Sequence, residues 1–226
     1  MVKRRGGARA GRGIVVAVGD SDRETPWYAL PFRAIHDVIP ERYPLLRLAV
    51  PTQLASLTLA YFLVTYLKVR PMPITCEMPF WRALGMAAGL EAVCMALFFG
   101  VRKMLDEIQL PEYMKRLIAV LPKAHPAELV AVCAMVGFTE EVLARGVLLP
   151  LLGPLPSLAI FVAVHRPKMG AHALMVGTTG AVFTLELLLT RGLLVPILHH
   201  FFRDLFALGL LYVVLRKDPE AGVEGL

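Results

Sequence analysis

The sequence predicts an all-α membrane protein, a polytopic bundle of about six transmembrane helices with additional interfacial segments. Hydrophobic residues make up 57% of the 226 residues and charged residues only 19%. Soluble domains contain about 45–50% apolar and about 25% charged residues. The apolar residues also form stretches of about 20, the length at which an α-helix crosses a bilayer. This composition excludes an intrinsically disordered chain and a soluble disulfide-rich scaffold.

The first 44 residues precede the first apolar stretch. Residues 1–25 begin with a basic, glycine-rich run and predict a disordered cytoplasmic tail. Residues 26–44 mix aromatic side chains, charges and prolines, which is typical of a segment at the membrane interface. The net charge is +6 and the pI about 9.4. In so apolar a chain, this basicity indicates a lipid bilayer as partner and no nucleic acid.

Six apolar stretches follow, and the fourth is shorter than a spanning helix requires. They are residues 46–67, 83–101, 128–149, 155–165, 172–189 and 193–215. A charged, partly amphipathic linker separates the second from the third. We therefore predict four parts, and the third carries the motifs described below. These parts are a tail (1–25), a region of interfacial segment, two transmembrane helices and linker (26–125), a four-helix core (126–216) and a C-terminal cytoplasmic tail (217–226).

Lysine and arginine residues are distributed unequally between the predicted loops. They are concentrated in the first 44 residues, in the linker, after the fourth span and after the sixth span. The alternate loops carry few of them. Because positively charged loops stay in the cytoplasm, we predict that both termini are cytoplasmic.

The third span contains adjacent carboxylates and a guanidinium in the sequence EEVLAR, residues 140–145. A charge at mid-membrane costs roughly 2.5–3.5 kcal/mol on insertion scales, so such residues normally face the protein interior and serve a function. Glu141 and Arg145 are one turn apart on one face and can form an ion pair. Glu140 points about 100° away from Glu141. It has no local cation and is available to act as a base or to hold a proton.

Two later spans supply imidazole side chains. Phe161 lies one turn before His165 at the end of the fourth span and can pack behind its ring. In the sixth span, His200 and Asp204 are one turn apart on one face. A carboxylate beside an imidazole fixes its tautomer and raises its basicity.

The remaining ionisable residues of the spans are predicted to be structural. His199 and Arg203 share the other face of the sixth span and are expected in helix packing or at the interface. Glu91 is alone in the second span and Glu186 is alone in the fifth. We expect both to be packing or interfacial carboxylates.

Several motifs of other protein classes are missing from the sequence. No serine lies in GxSxG, and neither HExxH nor GxxxxGK[ST] occurs. Asp204 is the only aspartate in a predicted span, which excludes a two-aspartate intramembrane protease. The remaining set, Glu140, His165, His200 and Asp204, could activate water directly or could ligate a metal.

The order EExxxR, FxxxH and HxxxD resembles that of the CAAX prenyl protease type II and bacteriocin-processing family, also called the Abi family. Here the three motifs occupy residues 140–145, 161–165 and 200–204, and 19 residues separate Arg145 from His165. The resemblance covers about residues 126–216. It implies an intramembrane endopeptidase of the glutamate type that acts on a membrane-associated peptide or protein.

The resemblance also implies a role for each motif residue. Glu140 and His165 would position and activate the attacking water, and His200 with Asp204 would stabilise the oxyanion. The supporting residues would be Glu141, Arg145 and Phe161. No cofactor is predicted, and zinc held by Glu140, His165 and His200 stays an alternative.

One position departs from the pattern of the prenyl-protein proteases, which carry Asn where this chain has Asp204. An amide can donate a hydrogen bond to an oxyanion, whereas an ionised carboxylate cannot. We therefore expect Asp204 to be protonated, or to orient His200, which then donates. The aspartate favours a bacterial-type relative over a protease of prenylated substrates.

Two other classes of protein would use the same helices. A non-catalytic scaffold or immunity protein of this fold leaves the Glu–His–His–Asp set unexplained. A proton-coupled transporter also uses buried Glu and His, but the sequence has no evident inverted repeat.

Overall fold

The computed structural model of the protein describes residues 38–101, 117–165 and 170–217. Every regular element within these ranges is helical. The predicted tail (1–25) lies outside the described residues. So do most of the interfacial segment (26–37), most of the charged linker (102–116) and residues 218–226 of the predicted C-terminal tail.

The helices follow the apolar stretches of the sequence. They are α1 (Pro44–Tyr66), α2 (Phe80–Val101), α3 (Pro126–Glu141), α4 (Leu149–Leu152), α5 (Pro154–Val164), α6 (Gly170–Thr190) and α7 (Leu194–Lys217). Within the described ranges, four helices are long and apolar enough to cross a membrane, namely α1, α2 through Leu97, α6 from Ala173, and α7. Large apolar side chains such as Phe62, Trp81 and Leu188 are exposed, as expected for lipid contact. The predicted all-α polytopic membrane fold is confirmed.

The third predicted span is one helical run made of three segments. Helix α3 continues into a π-helical turn (Val142–Leu148) and then into α4, which ends before Gly153. Short π-helical insertions occur mainly at functional sites, because they widen a helix locally and release carbonyl groups. The fourth predicted span forms α5, which has only 11 residues, as its sequence length indicates.

The start of α3 is fixed by a reciprocal cap. His125 Nδ1 accepts from the Ala127 N–H (3.2 Å), and Glu128 Oε2 accepts from the His125 N–H (3.4 Å). The other oxygen of Glu128 accepts from the Leu46 N–H in the first turn of α1 (2.8 Å). One carboxylate therefore satisfies backbone donors at the starts of two helices and holds α1 against α3.

Two apolar clusters hold α7 in the bundle. Side chains of α1, α3 and α7 form the larger one, which includes Leu45, Leu129 and Tyr212. In the smaller one, Ala83 and Ala87 of α2 pack on Val195 of α7. Small side chains let membrane helices approach closely. As a result α7 lies between α2 and α3, and its two faces reach different neighbours.

The loop between α1 and α2 is pinned to the later part of the chain. The Met72 N–H donates to the Gly146 carbonyl in the π-helical turn (2.9 Å), and the Leu193 N–H donates to the Pro73 carbonyl (2.9 Å). Gly192 is pressed against Thr75, where any Cβ would overlap the Thr75 carbonyl. This loop therefore fixes the π-helical turn relative to the start of α7.

Candidate active site

A buried ion pair lies at the junction of α3 and the π-helical turn. Arg145 Nη1 donates to Glu141 Oε1 (3.0 Å), and Arg145 Nη2 donates to the Gly180 carbonyl of α6 (2.9 Å). The guanidinium also lies 4.1 Å from the ring centroid of Phe161 in α5. Because both partners are almost completely buried, the pair needs these additional contacts to offset the loss of hydration. Arg145 thus joins the first motif to α5 and α6.

Glu140 points away from this ion pair, toward two imidazoles. Its Oε2 atom lies 3.6 Å from His165 Nε2 and 3.9 Å from His200 Nε2. Its neighbour Thr139 is fixed in α3 by hydrogen bonds to the Met135 carbonyl (2.9 Å) and to Gln53 of α1. The backbone that carries Glu140 is therefore held by α1 while the carboxylate faces the histidines.

The tautomer of His165 follows from its hydrogen bond. The ring lies at the end of α5, where Nδ1 is 2.7 Å from the Phe161 carbonyl oxygen. A carbonyl oxygen only accepts, so Nδ1 carries the hydrogen, and in the neutral ring the lone pair is on Nε2. The Phe161 ring packs against the imidazole with centroids 4.5 Å apart. Phe161 therefore supports both His165 and Arg145.

His200 is oriented by the ion pair from the opposite side. Its Nδ1 donates to Glu141 Oε1 (2.9 Å), the same oxygen that accepts from Arg145. Its Nε2 faces Asp204 Oδ2 (3.6 Å) and Glu140. Glu141 thus turns Nε2 of His200 toward the other motif residues.

The structure brings together all seven residues that the motifs single out. Glu140, His165, His200 and Asp204 surround one point, with Glu141, Arg145 and Phe161 behind them. Contacts of 3.6–3.9 Å between polar atoms are longer than direct hydrogen bonds and are suited to a bridging water. The arrangement can therefore hold a water between a carboxylate and an imidazole lone pair, with an N–H donor nearby.

Three functional candidates were missed when the spans were interpreted one at a time. Glu91 and Glu186 are buried, and each is hydrogen-bonded to the buried His199 rather than lying alone in the packing or at the interface. The signal was present in the sequence. Each is an ionisable residue in an apolar span, where an unpaired charge is costly, so each required a partner on another helix.

The predicted zinc ligands Glu140, His165 and His200 face one another through Oε2 and the two Nε2 atoms. In the part of the chain that the structure describes, however, no group of three or more His, Cys, Asp or Glu side chains has the geometry of a metal site. The geometry therefore gives no support to zinc, which stays an alternative prediction.

The fold and the site define a class of protein: an all-α integral membrane protein with a Glu–His–His–Asp centre between its helices. Residues 122–206 match the family model of the type II CAAX prenyl endopeptidases, described as Rce1-like. The predicted resemblance to the CAAX prenyl protease family is therefore confirmed. Members of this family are generally intramembrane proteases. No curated protein and no solved structure gives a significant match to the chain.

Proposed function

We propose that the protein is an intramembrane endopeptidase that hydrolyses a peptide bond of a membrane-associated protein or peptide. One observation carries this proposal: a single oxygen of Glu140 faces the Nε2 atoms of both His165 and His200 at 3.6 and 3.9 Å. A carboxylate beside an imidazole lone pair can position a water and accept its proton, as general-base catalysis requires. The match of the surrounding helices to a family of intramembrane proteases supports the same activity.

The attacking water is held between Glu140 and His165. Glu140 accepts a proton as the water oxygen bonds to the carbonyl carbon, while the Nε2 lone pair of His165 accepts a hydrogen bond from the same water. The resulting tetrahedral intermediate carries a negative oxygen. When the C–N bond breaks, protonated Glu140 returns the proton to the leaving amine. One water is consumed, and one carboxyl and one amine product form.

The negative oxygen is stabilised from the opposite side by His200. With both ring nitrogens protonated, His200 donates from Nδ1 to Glu141 and from Nε2 to the oxyanion. Asp204, one turn further along α7, orients Nε2 when it is ionised, or donates a second hydrogen bond when it is protonated. In this proposal Glu141 and Arg145 hold His200 and take no part in proton transfer.

We further propose that both termini face the cytoplasm, on the basis of the lysine and arginine distribution. In this orientation α5 runs from the non-cytoplasmic side toward the cytoplasmic side and ends next to His165.

The test compares membranes that contain the wild-type protein with membranes that contain Glu140→Gln or His165→Gln. New protein N-termini are enriched and identified by mass spectrometry. The wild type is expected to generate N-termini that both variants lack, with cleavage reduced about 10²–10⁴-fold, the usual contribution of a general acid–base group. The Gln side chains keep the size of the originals, so insertion and thermal stability in detergent should be unchanged.

Glu77→Gln is the matched control, because Glu77 is exposed and pairs only with the exposed Arg191 among the described residues. It should cleave like the wild type. The proposal would be wrong if the wild type generated no N-termini beyond those of Glu140→Gln, the result expected of a scaffold or a transporter. Cleavage abolished by a zinc chelator and restored by zinc would replace direct activation by Glu140 with the metal alternative.

A further inference from the structure

A second polar cluster lies behind the candidate active site, on the other face of α7. His199 Nε2 lies 3.0 Å from Glu91 Oε2 of α2, and His199 Nδ1 lies 2.5 Å from Glu186 Oε1 of α6. All three residues are buried. We refer to Glu91, Glu186 and His199 as the rear cluster. It joins three helices at one imidazole.

Neither ring nitrogen of His199 is free to bind a substrate or to accept its proton. Two hydrogen bonds between an imidazole and two carboxyl groups require two hydrogens. These are both on His199 with two carboxylates, or one is on the ring and the other on a carboxyl group. The cluster has a net charge of −1 in either case. Since both nitrogens of His199 are occupied, the ring cannot act as a base and instead fixes the position of α7.

The rear cluster is tied to the candidate active site through α6 and α7. His199 and His200 are adjacent on α7, and the Phe183 ring of α6 contacts both, with centroid distances of 5.0 and 5.1 Å. Phe183 and Glu186 lie on neighbouring turns of α6. One face of α6 therefore holds both histidines, although α6 carries none of the three motifs.

Rotation of α7 shows why this matters for His200. Side-chain tips lie about 5–6 Å from a helix axis, so a rotation of roughly 20° moves them by about 2 Å. Displacements of about 1 Å from the reactive geometry can lower a rate about 10²-fold. Any rotation that moves His200 away from Glu140 also breaks the hydrogen bonds of His199. The two carboxylates of the rear cluster thus lock the rotation that the reaction requires.

Stability alone is a poor explanation for such a cluster. Glu91 Oε1 and Glu186 Oε2 are buried, and no hydrogen-bond partner is found for either among the described residues. Buried ionic groups can often be replaced by apolar residues of similar volume without loss of stability. Hydrogen bonds of fixed length and direction, in contrast, hold a helix at one angle.

We infer that Glu91, Glu186 and His199 form a positioning cluster that sets the orientation of His200 in the peptidase reaction. Glu91 is supplied by α2, outside the residues that match the family model. This inference rests on the proposed function. It adds three positioning residues to the motif residues, and none of the three touches the substrate.

The test separates the length of the Glu91 side chain from its charge. Glu91→Gln keeps the length and removes the charge, and its amide can donate to Nε2 of a neutral His199. Glu91→Asp keeps the charge and shortens the side chain by one methylene group, so its oxygen no longer reaches His199 without movement of α7. The same two substitutions at the exposed Glu77 are the matched controls.

Kinetics are measured in proteoliposomes with the protein whose new N-terminus depends on Glu140. A positioning role predicts that Glu91→Asp lowers kcat about 10–100-fold, the usual effect of removing a residue that orients an active-site group. The KM of this variant should stay within about three-fold of the wild type, since no substrate contact is lost. Glu91→Gln should retain kcat within about three-fold. Loss of activity in Glu91→Gln, or wild-type activity in both variants, would overturn the inference.

A second measurement needs no substrate. The ring nitrogens of His200 are observed by solid-state NMR of ¹⁵N-histidine-labelled protein, with His200→Gln used to assign the signal. One sharp His200 signal is expected in the wild type and in Glu91→Gln, and a shifted or doubled signal in Glu91→Asp. An unchanged signal in Glu91→Asp would contradict the positioning role even if the protein proved not to be a peptidase. Failure of the proposed function and failure of this inference are thus distinguished.

Discussion

His199 and His200 are neighbours in the chain, yet they occupy two environments with opposite properties. The side chains around His199, called the sealed side, are almost inaccessible to solvent. Their exposed fractions are 1% for His199, 7% for Glu91 and 3% for Glu186. The surroundings of His200 are called the open side. The side chain of His200 is 7% exposed, and those of Glu140, His165 and Asp204 are 25–27% exposed. The first imidazole has both nitrogens bound within 3.0 Å, whereas the second has one nitrogen bound and one that faces Asp204 and Glu140 at 3.6 and 3.9 Å.

This difference indicates how one helix can serve two purposes. Short hydrogen bonds between buried groups hold side chains in one geometry. Longer polar contacts between partly exposed groups leave room for a water and a substrate. Because successive residues of a helix point about 100° apart, a pair of adjacent histidines can supply both at nearly the same depth. The variants below test which residues hold the two histidines in position and which act at the open side.

The largest effect is expected for Arg145→Met, which removes the cation behind His200. It leaves the buried Glu141 carboxylate without its guanidinium partner, and removal of one partner of a buried ion pair costs about 3–5 kcal/mol. The free energy of unfolding, measured by denaturant titration in detergent micelles, should fall by about this amount. The double variant Glu141→Gln/Arg145→Met should lose much less, since no charge is stranded and the introduced amide oxygen would still accept from His200. Equal losses in the single and double variants would mean that the ion pair is not the source of the effect.

A smaller effect is expected for Gly180→Ala in the packing between α5 and α6. An added Cβ would lie 2.7 Å from Leu158 Cδ1 and 3.0 Å from both Arg145 Nη2 and Phe161 Cδ1. Overpacking of this kind costs about 1–3 kcal/mol. The free energy of unfolding should fall by this amount. Cleavage should also become slower, because Arg145 and Phe161 support His200 and His165.

Gly85→Ala is the control for this substitution. Gly85 also lies within a membrane-spanning helix, but nothing is within 4 Å of its added Cβ. The change should leave the free energy of unfolding unaltered or raise it by roughly 0.5–1 kcal/mol, the usual preference of a helix for Ala over Gly. If the two variants behaved alike, close packing at Gly180 would not be the reason for its glycine.

The smallest effect is expected on the open side, for Asp204→Asn. The amide can accept from His200 through Oδ1 and can donate to an oxyanion through its N–H groups. We expect kcat to remain within about three-fold of the wild type, whereas Asp204→Ala should lose roughly 10²-fold, as when one oxyanion donor is removed. Both are measured on the substrate identified with Glu140→Gln. A loss in Asp204→Asn as large as in Asp204→Ala would show that the negative charge itself is required.

Much of this arrangement could be predicted from the sequence, because it depends on local spacing. The apolar stretches gave the all-α membrane fold, and the i, i+4 spacing placed Glu141 beside Arg145 and His200 beside Asp204. The weakness of the fourth span was also visible, since 11 helical residues are too few to cross a bilayer. The number of complete spans and the roles of the site residues stay predictions.

The features that were missed depend on contacts between distant parts of the chain. His199 meets Glu91 over a separation of 108 residues, and nothing in either helix alone specifies which face meets the other. The π-helical turn is similar, because its free carbonyls are satisfied by Ser157 and Met72 from neighbouring segments. Helical periodicity assumes 3.6 residues per turn and cannot indicate where a turn widens.

The loop that joins the first two long helices has a consequence for biosynthesis. Its backbone partners, Gly146 and Leu193, are made long after the loop itself, and Leu193 follows Pro73 by about 120 residues. At the usual 5–20 residues per second, about 6–24 s separate the synthesis of the two partners. Gly146 is made earlier than Leu193, so the loop can form its hydrogen bond to Gly146 first and lacks its second hydrogen bond until Leu193 is made. Docking of the loop onto Leu193 therefore belongs to the last stage of assembly, when the final helix is inserted and both imidazoles reach their partners.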